Sequence, residues 1–250
     1  MSISESKRCG KFLFVSGYRG SGKTSLGERL KRDHNFLHFN ADVWVFGGDP
    51  ILESGEIPDV AMMARRDPAL NEIFDTMMEK GYGALASGAA APLDVWVPFH
   101  SRLCAAIRKI REDNIARDLV VSFSVHMASV REYIREQLGS SLLFVILYPS
   151  VDQVGRRRYE HLKETAALKK MTLAQTLHLF RGPHASPEAD LSEDVLLQIL
   201  TDHARDDMKL YERPQSSEKN TLEVGDGGVA EVDKQVQEFM NDYWSDAYRY

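Results

Sequence analysis

The residues most able to do chemistry form one run, Gly17-Tyr18-Arg19-Gly20-Ser21-Gly22-Lys23-Thr24. It satisfies the pattern GxxxxGK[ST], with an apolar stretch before it and a helical pattern after it. Glycines at this spacing let backbone N–H groups turn inward around a phosphate. A helix starting at the lysine adds the positive end of its dipole. The Lys23 ammonium is then expected to reach the β- and γ-phosphates, and the Thr24 hydroxyl to bind magnesium. Arg19, Gly20, Ser21, Gly22 and Ser25 complete the expected nucleotide cradle, with Gly17 at its entrance. The ligands predicted are ATP and Mg2+. The alternative, a glycine-rich strand-to-helix turn with no ligand, is weighed down by the complete match in the right context. The motif does not say what receives the phosphate.

The other candidates carry weaker signals. Asp42 follows the second predicted strand, where ligand crevices of open α/β sheets lie. A carboxylate there can take a proton from an acceptor hydroxyl or hold magnesium through water; its bland alternative is a helix N-cap. Asp49 is a lesser candidate in the same region. Asp118 opens the third strand rather than ending it, so a usual metal-side aspartate is missing. Ser124 and His126 follow that strand and are candidates to touch substrate, with a core or surface role at least as fitting for the histidine. Arg156-Arg157-Arg158, with His161, Lys163, Lys169 and Lys170, concentrate positive charge after the fourth strand. That is where small kinases carry a mobile lid whose arginines neutralise developing charge. Arg156 is assigned to nucleotide binding and Arg157 to catalysis; adjacent positions on a helix diverge, so not all three are expected to face the nucleotide. The alternative is a solvated helix face. Arg131 and Arg135 share a helix face and either bind an anionic group or pair with Glu132 and Glu136. Arg65 and Arg66 could grip an acceptor phosphate.

Strands and helices must place these residues. Phe12–Ser16, Phe36–Phe39, Leu119–Phe123, Leu142–Leu147 and Thr221–Val224 read as strands; the fourth is continuously apolar, as in a sheet covered on both faces. Helices are predicted from Lys23 to Lys31, and over 71–85, 98–112, 130–138, 151–168, 172–180, 191–211 and 232–244. Gly81–Pro92 is expected to include a loop, and Glu212–Asn220 to be a polar connection. The alternation implies an α/β parallel sheet wrapped on both faces. No linker divides the chain, so residues 1–250 are read as one domain, with a large helical insertion over 43–117 and a lid region over 152–190.

Composition sets outer limits. The chain has 250 residues, 43% hydrophobic and 27% charged, with formal net charge −6. That is globular composition without the basic balance of a nucleic-acid binder. Its two cysteines, Cys9 and Cys104, make no disulfide framework or zinc pattern. No run approaches the roughly 18 apolar residues of a membrane span, and the N-terminus lacks a secretory signal's apolar stretch. The expectation is a cytoplasmic protein, monomer or homodimer, with no nucleic-acid or membrane partner.

In their order, these features resemble the small-molecule kinases of the gluconate kinase and shikimate kinase group, within the nucleoside monophosphate kinase-like superfamily. Beyond the phosphate loop, the residues that carry the resemblance are Asn40-Ala41-Asp42, Glu53-Ser54-Gly55-Glu56-Ile57-Pro58, Arg66-Asp67-Pro68-Ala69-Leu70, Ser124 with Arg131 and Arg135, and Leu222-Glu223-Val224-Gly225. The resemblance implies a phosphate-loop NTPase fold, a five-stranded parallel sheet in the order 2-3-1-4-5. It further implies ATP-dependent phosphorylation of a small hydroxyl compound, with Asp42 as base and Arg66, Ser124, Arg131 and Arg135 toward the acceptor. Departures fall on the acceptor side: Asn40 replaces an acidic residue, Val60-Ala61-Met62-Met63-Ala64 an acidic cluster, and Met127 a lysine. The enlarged insertion, with Trp44, Trp96 and Phe99, suggests a larger or more apolar acceptor unless those aromatics are core, the reading preferred here. Rival readings are a nucleoside or nucleotide kinase and an ATP-binding switch that transfers nothing.

Overall fold

The computed structural model describes residues 10–45, 47, 49–51, 67–89, 92–181 and 191–247, with backbone alone at 179–181 and 245–247. The segments around Glu53–Pro58, Val60–Ala64, Arg65 and Arg66 lie outside the described residues, as does Cys9.

Five strands form a single parallel sheet: β1 (Phe12–Gly17), β2 (Leu37–Asn40), β3 (Leu119–Ser122), β4 (Leu143–Leu147) and β5 (Thr221–Val224). The spatial order is β2-β3-β1-β4-β5, as the resemblance implied. Phe14 pairs with Val121 on one side and Phe144 on the other, placing β1 at the centre. Every residue of β1 to β4 is buried, which is why these strands read as apolar runs rather than alternating patterns.

The helices are α1 (Lys23–His34), α2 (Ala41–Val45), α3 (Pro68–Thr76), α4 (Gly83–Ala86), α5 (Leu93–Asp113), α6 (Ala128–Leu138), α7 (Val151–Lys169), α8 (Leu173–Arg181), α9 (Glu193–Lys209) and α10 (Val229–Ala247). One face of the sheet buries Phe12, Phe14 and Phe144 against Phe99, Leu103, Ile107 and Ile134 from α5 and α6. The opposite face buries Leu13, Val15 and Val145 against Leu26 and Leu30 of α1 and Val236 and Met240 of α10. A third cluster, Tyr159, Leu162, Leu177, Leu196 and Leu200, joins α7, α8 and α9 away from the sheet. Among the described residues no helix is long and apolar enough to cross a membrane.

Two expectations change in detail. The helix predicted over 71–85 is interrupted by a π-helical turn, Met77–Tyr82, which links α3 to α4. Helix also replaces the start of the loop predicted from Gly81. A side chain at Gly81 would stand 2.9 Å from the Trp96 indole, so only glycine lets this turn lie against α5. The aromatics of the insertion are core: Trp96 and Phe99 are buried, and half-buried Trp44 packs on Phe39 and Phe99.

α7 and α9 touch most closely at Gly155, where a methyl group would overlap the Thr201 hydroxyl and stand 3.1 Å from the Thr201 Cα. Gly155→Ala is expected to force the helices apart at a cost of about 1–3 kcal/mol. Thermal unfolding should show a melting point lower by about 3–10 °C.

Candidate active site

The phosphate loop is shaped by its backbone. Gly17, Gly20 and Gly22 have φ of +148°, +81° and +102°, values that side chains disfavour. At Gly17 there is also no room, because a Cβ would strike the Leu147 carbonyl of β4. The Ser21 N–H and the Lys23 ammonium both donate to the Tyr18 carbonyl at 3.1 Å, closing the loop on itself. The Tyr18 hydroxyl donates to the Pro149 carbonyl beyond β4, tying the loop to the neighbouring strand's exit. Burial pulls the Lys23 pKa down to about 8; Asp42 pulls it up, while Arg158 and Arg19 push it down. An anion in the loop would favour the ammonium further. Ser21 Oγ is buried without a partner in the same loop.

The loop forms the floor of a cleft of about 1160 Å³. Arg19, Gly20, Ser21, Gly22, Lys23, Thr24, Ser25, Asp42, Ser124, Arg156, Arg157 and Arg158 all line it. Asn40 explains the freedom of Asp42: its Oδ1 accepts from the Asp42 N–H at 3.1 Å and caps α2, the role open to Asp42 in the sequence. The Asp42 side chain opens onto the cleft but is crowded by protein on its other sides. Desolvation raises its carboxyl pKa, while Lys23 and Arg19 pull it back. Asp49 accepts from the Ile51 N–H, holding a local turn, and does not line the cleft. Asp118 binds the Lys11 N–H at the opposite end of the sheet.

Arg156, Arg157 and Arg158 all border the cleft, each held differently. Arg157 donates to the Ser21 carbonyl at 2.9 Å. Arg158 donates to the Arg19 carbonyl and to Asp207 of α9, and two of its guanidinium nitrogens are buried without partners. Arg156 is exposed at the rim.

The structure corrects two assignments. Arg131 and Arg135 do not line the cleft. Arg131 is fully buried and makes a two-pronged ion pair with Glu218, at 2.9 and 2.7 Å. Arg135 lies 3.5 Å from the same carboxylate, bonds Thr221, and pairs with Glu132 at 3.2 Å, one of the partners the sequence offered. Burial raises the Glu218 carboxyl, but the Arg131 hydrogen bonds and charge outweigh it and leave it below the usual range. Both arginines are thus spent on a carboxylate from the 212–220 connection, which the sequence presents as merely polar. That connection also caps α6 through Glu212, which accepts from the Ala128 N–H at 2.7 Å, and its backbone donates to the His126 carbonyl. Arg66 lies outside the described residues.

His126, a candidate in the sequence, reaches the cleft, and it brings residues that carried no signal there. His126 is buried at the cleft wall, and its Nδ1 lies 3.0 Å from the Tyr82 hydroxyl. Behind it, Ser16 shares a hydrogen bond with Tyr211 at 2.8 Å and accepts from the Val125 N–H. Arg131 donates to the Val125 carbonyl at 3.3 Å, bracing the same segment from beneath. Tyr82 sits in a glycine-rich stretch and Asp207 in an acidic helix, contexts that mark neither as special.

No family model matches the chain, and no curated protein matches it. Among solved structures, a gluconokinase from Sinorhizobium meliloti 1021 is similar at 19% identity, covering 96% of this chain and 97% of that one, with TM-score 0.48. A sugar kinase from Janibacter sp. HTCC2649 is similar at 13% identity over 93% and 95%, TM-score 0.48. A shikimate kinase from Bacteroides thetaiotaomicron is similar at 12% identity over 94% and 98%, TM-score 0.44. At these scores the likenesses carry no argument about what this chain binds.

Removing Glu218 would strand the buried Arg131 charge. Its carboxylate is covered although the residue is half-buried, so Glu218→Ala is expected to cost about 3 kcal/mol, the lower end for a broken buried pair. Urea denaturation would read this as a lower midpoint.

Acid should also destabilise the fold. Burial, aided by nearby positive charge, pulls His126 from 6.5 to about 3, and burial pulls His100 to about 4; His38, held between Glu28 and Ser122, is lowered too. The unfolded chain therefore binds protons first, and stability falls as pH drops from about 6.5 toward 4, by at most about 1.4 kcal/mol per pH unit per histidine. The raised Asp42 carboxyl partly offsets this. Urea midpoints are expected to be lower at pH 5 than at pH 7.5, with a smaller difference in His100→Phe.

Proposed function

We propose that this chain is an ATP- and magnesium-dependent kinase that transfers the γ-phosphoryl group to a hydroxyl of a small metabolite. The observation that carries the reading is the facing of the Lys23 phosphate loop and the Asp42 carboxylate across one cleft. In the proposed reaction the bond from the γ-phosphorus to the β-bridging oxygen breaks as a bond to the acceptor oxygen forms. The acceptor's proton passes to Asp42, and ADP leaves with the electron pair. A carboxyl raised by its surroundings is a better base near neutral pH than an ordinary aspartate.

The loop amides and Lys23 would hold the β- and γ-oxygens, and Arg157, freed from the Ser21 carbonyl, would turn to the transferred group. Arg156 and Arg19 would grip the nucleotide from the rim, and Ser124 the acceptor. The buried, unpartnered Ser21 hydroxyl and the inward-turned glycines fit a polyphosphate. Among the described residues no three His, Cys, Asp or Glu side chains converge on a metal site. That fits magnesium, which keeps waters and shares substrate phosphates; Thr24 would hold it directly and Asp42 through water. When bound, the ion neutralises charge on the phosphate oxygens. Residues 43–117 would contribute the acceptor side and 152–190 the lid of a single catalytic domain. A nucleotide acceptor gripped by Arg131 and Arg135 is disfavoured, since Glu218 engages both.

Asp42→Asn is expected to lower kcat by about 10²–10⁴-fold, with ATP affinity, followed by calorimetry, little changed. Transfer near the wild-type rate would overturn the base assignment.

A further inference from the structure

The end of α9 is tied to the phosphate loop at two points. On that helix Asp202 and Asp206 pair with Arg205 and Lys209 of the same helix, whereas Asp207 reaches across to Arg158 of α7. Asp207 accepts from Arg158 Nη2, and that nitrogen also donates to the Arg19 carbonyl inside the loop. One turn further on, Tyr211 shares a hydrogen bond with Ser16, the residue before Gly17, at 2.8 Å. Arg158 is seated against Gly20: a Cβ there would stand 2.9 Å from its Nε and 3.0 Å from the Val154 side chain. The bare glycine therefore makes room for the guanidinium. The Arg158 side chain is only 9% exposed yet borders the cleft, and its Nε and Nη1 have no hydrogen-bond partner among the described residues. A buried guanidinium packed beside other cations needs a counter-charge to stay in place. Burial lowers the Arg158 pKa, and Asp207 draws it back up through its charge and its hydrogen bond. For Lys23, lowered by burial and raised mainly by Asp42, Asp207 adds to the raising side against Arg158 and Arg19.

We infer that Asp207 is a positioning residue for nucleotide binding: by fixing Arg158 on the Arg19 carbonyl it sets the course of the phosphate loop at Gly20, so that the end of α9 helps to decide the affinity for the triphosphate. The inference rests on the nucleotide half of the kinase reading and adds a residue to it. The opposite role would be competition, with Asp207 holding Arg158 away from phosphate oxygens. The geometry favours positioning. Asp207 shares Nη2 with a loop carbonyl, so the bond that engages the carboxylate also anchors the loop, while Nε and Nη1 stay uncommitted. Tyr211 holds the chain just before Gly17 and Asp207 acts just after it, so the turn is clasped on both sides from one helix end.

Calorimetry of ATP binding to the full chain, with magnesium present, tests this and needs no acceptor. Asp207→Ala is expected to raise the Kd for ATP about tenfold. Asp207→Asn, which keeps an acceptor oxygen and loses the charge, should recover part of that loss. Arg158→Ala should weaken ATP binding at least as much as Asp207→Ala. Adding Asp207→Ala to it should change the Kd by no more than about twofold further, because the carboxylate acts through the guanidinium. Melting curves recorded without ligand identify any variant that fails to fold, and Asp207→Asn, which differs from wild type by one group, carries the test in that case. A Kd for ATP that is unmoved or lowered in the folded Asp207 variants, or losses that simply add in the double variant, would overturn the inference and leave the kinase reading intact. A wild-type chain that binds no ATP would overturn the kinase reading and the inference with it.

Discussion

The centre of the structure depends on one steric constraint, the absence of a side chain at Gly17. β1 and β4 run side by side to their carboxyl ends, and at that point a Cβ would strike the Leu147 carbonyl. Without one, the chain turns sharply off the sheet with φ +148° and brings Tyr18, Lys23 and the loop amides over the strand exits. Tyr18 then locks the turn through Pro149, and the Lys23 ammonium rests on the Tyr18 carbonyl. The start of α1 and the buried ammonium are placed by this turn, and Arg157 and Arg158 bond its carbonyls, so much of the cleft's electrostatics follows from a packing requirement between two strands.

The two walls of the cleft are held in different ways. On the α7 side, Arg157 and Arg158 donate to carbonyls of the phosphate loop and link the loop to α7. Asp207 couples α9 to the same arrangement. On the other side, the wall after β3 is braced from beneath by Ser16, Tyr211 and Arg131 and from outside by the 212–220 connection. The buried Arg131–Glu218 pair gains little net energy over apolar packing, but it is costly to break. Its structural effect is to fix the connection against α6 and with it the position of His126.

Much of this was legible in the sequence because it depends on neighbours along the chain. The phosphate loop, the five strands and Asp42 at the end of β2 follow from short-range patterns: glycine spacing, apolar runs and strand exits. The arginine cluster of α7 was also visible, since charge density on one helix is a local property. The assignments that changed were those depending on partners far away. Arg131 and Arg135 have an anion-binding look on their own helix; Glu132 pairs with Arg135 locally, but it is Glu218, 87 residues from Arg131, that engages both. Asn40 looked like a lost acidic residue and is the cap of α2. Tyr82, in a stretch rich in small residues, became a wall of the cleft only when the π-helical turn seated Gly81 on Trp96.

What the sequence determined by itself was therefore the class of fold and the glycine loop at the exit of β1, because hydrophobic periodicity and glycine stereochemistry are written in adjacent residues. The tertiary structure decided which charges are left to act. Pairing two arginines with one carboxylate beneath the sheet's edge, and joining a tyrosine to a histidine across 44 positions, requires strands and helices already packed. Desolvation and ion pairing depend on distances in space, and no local pattern of residues encodes them.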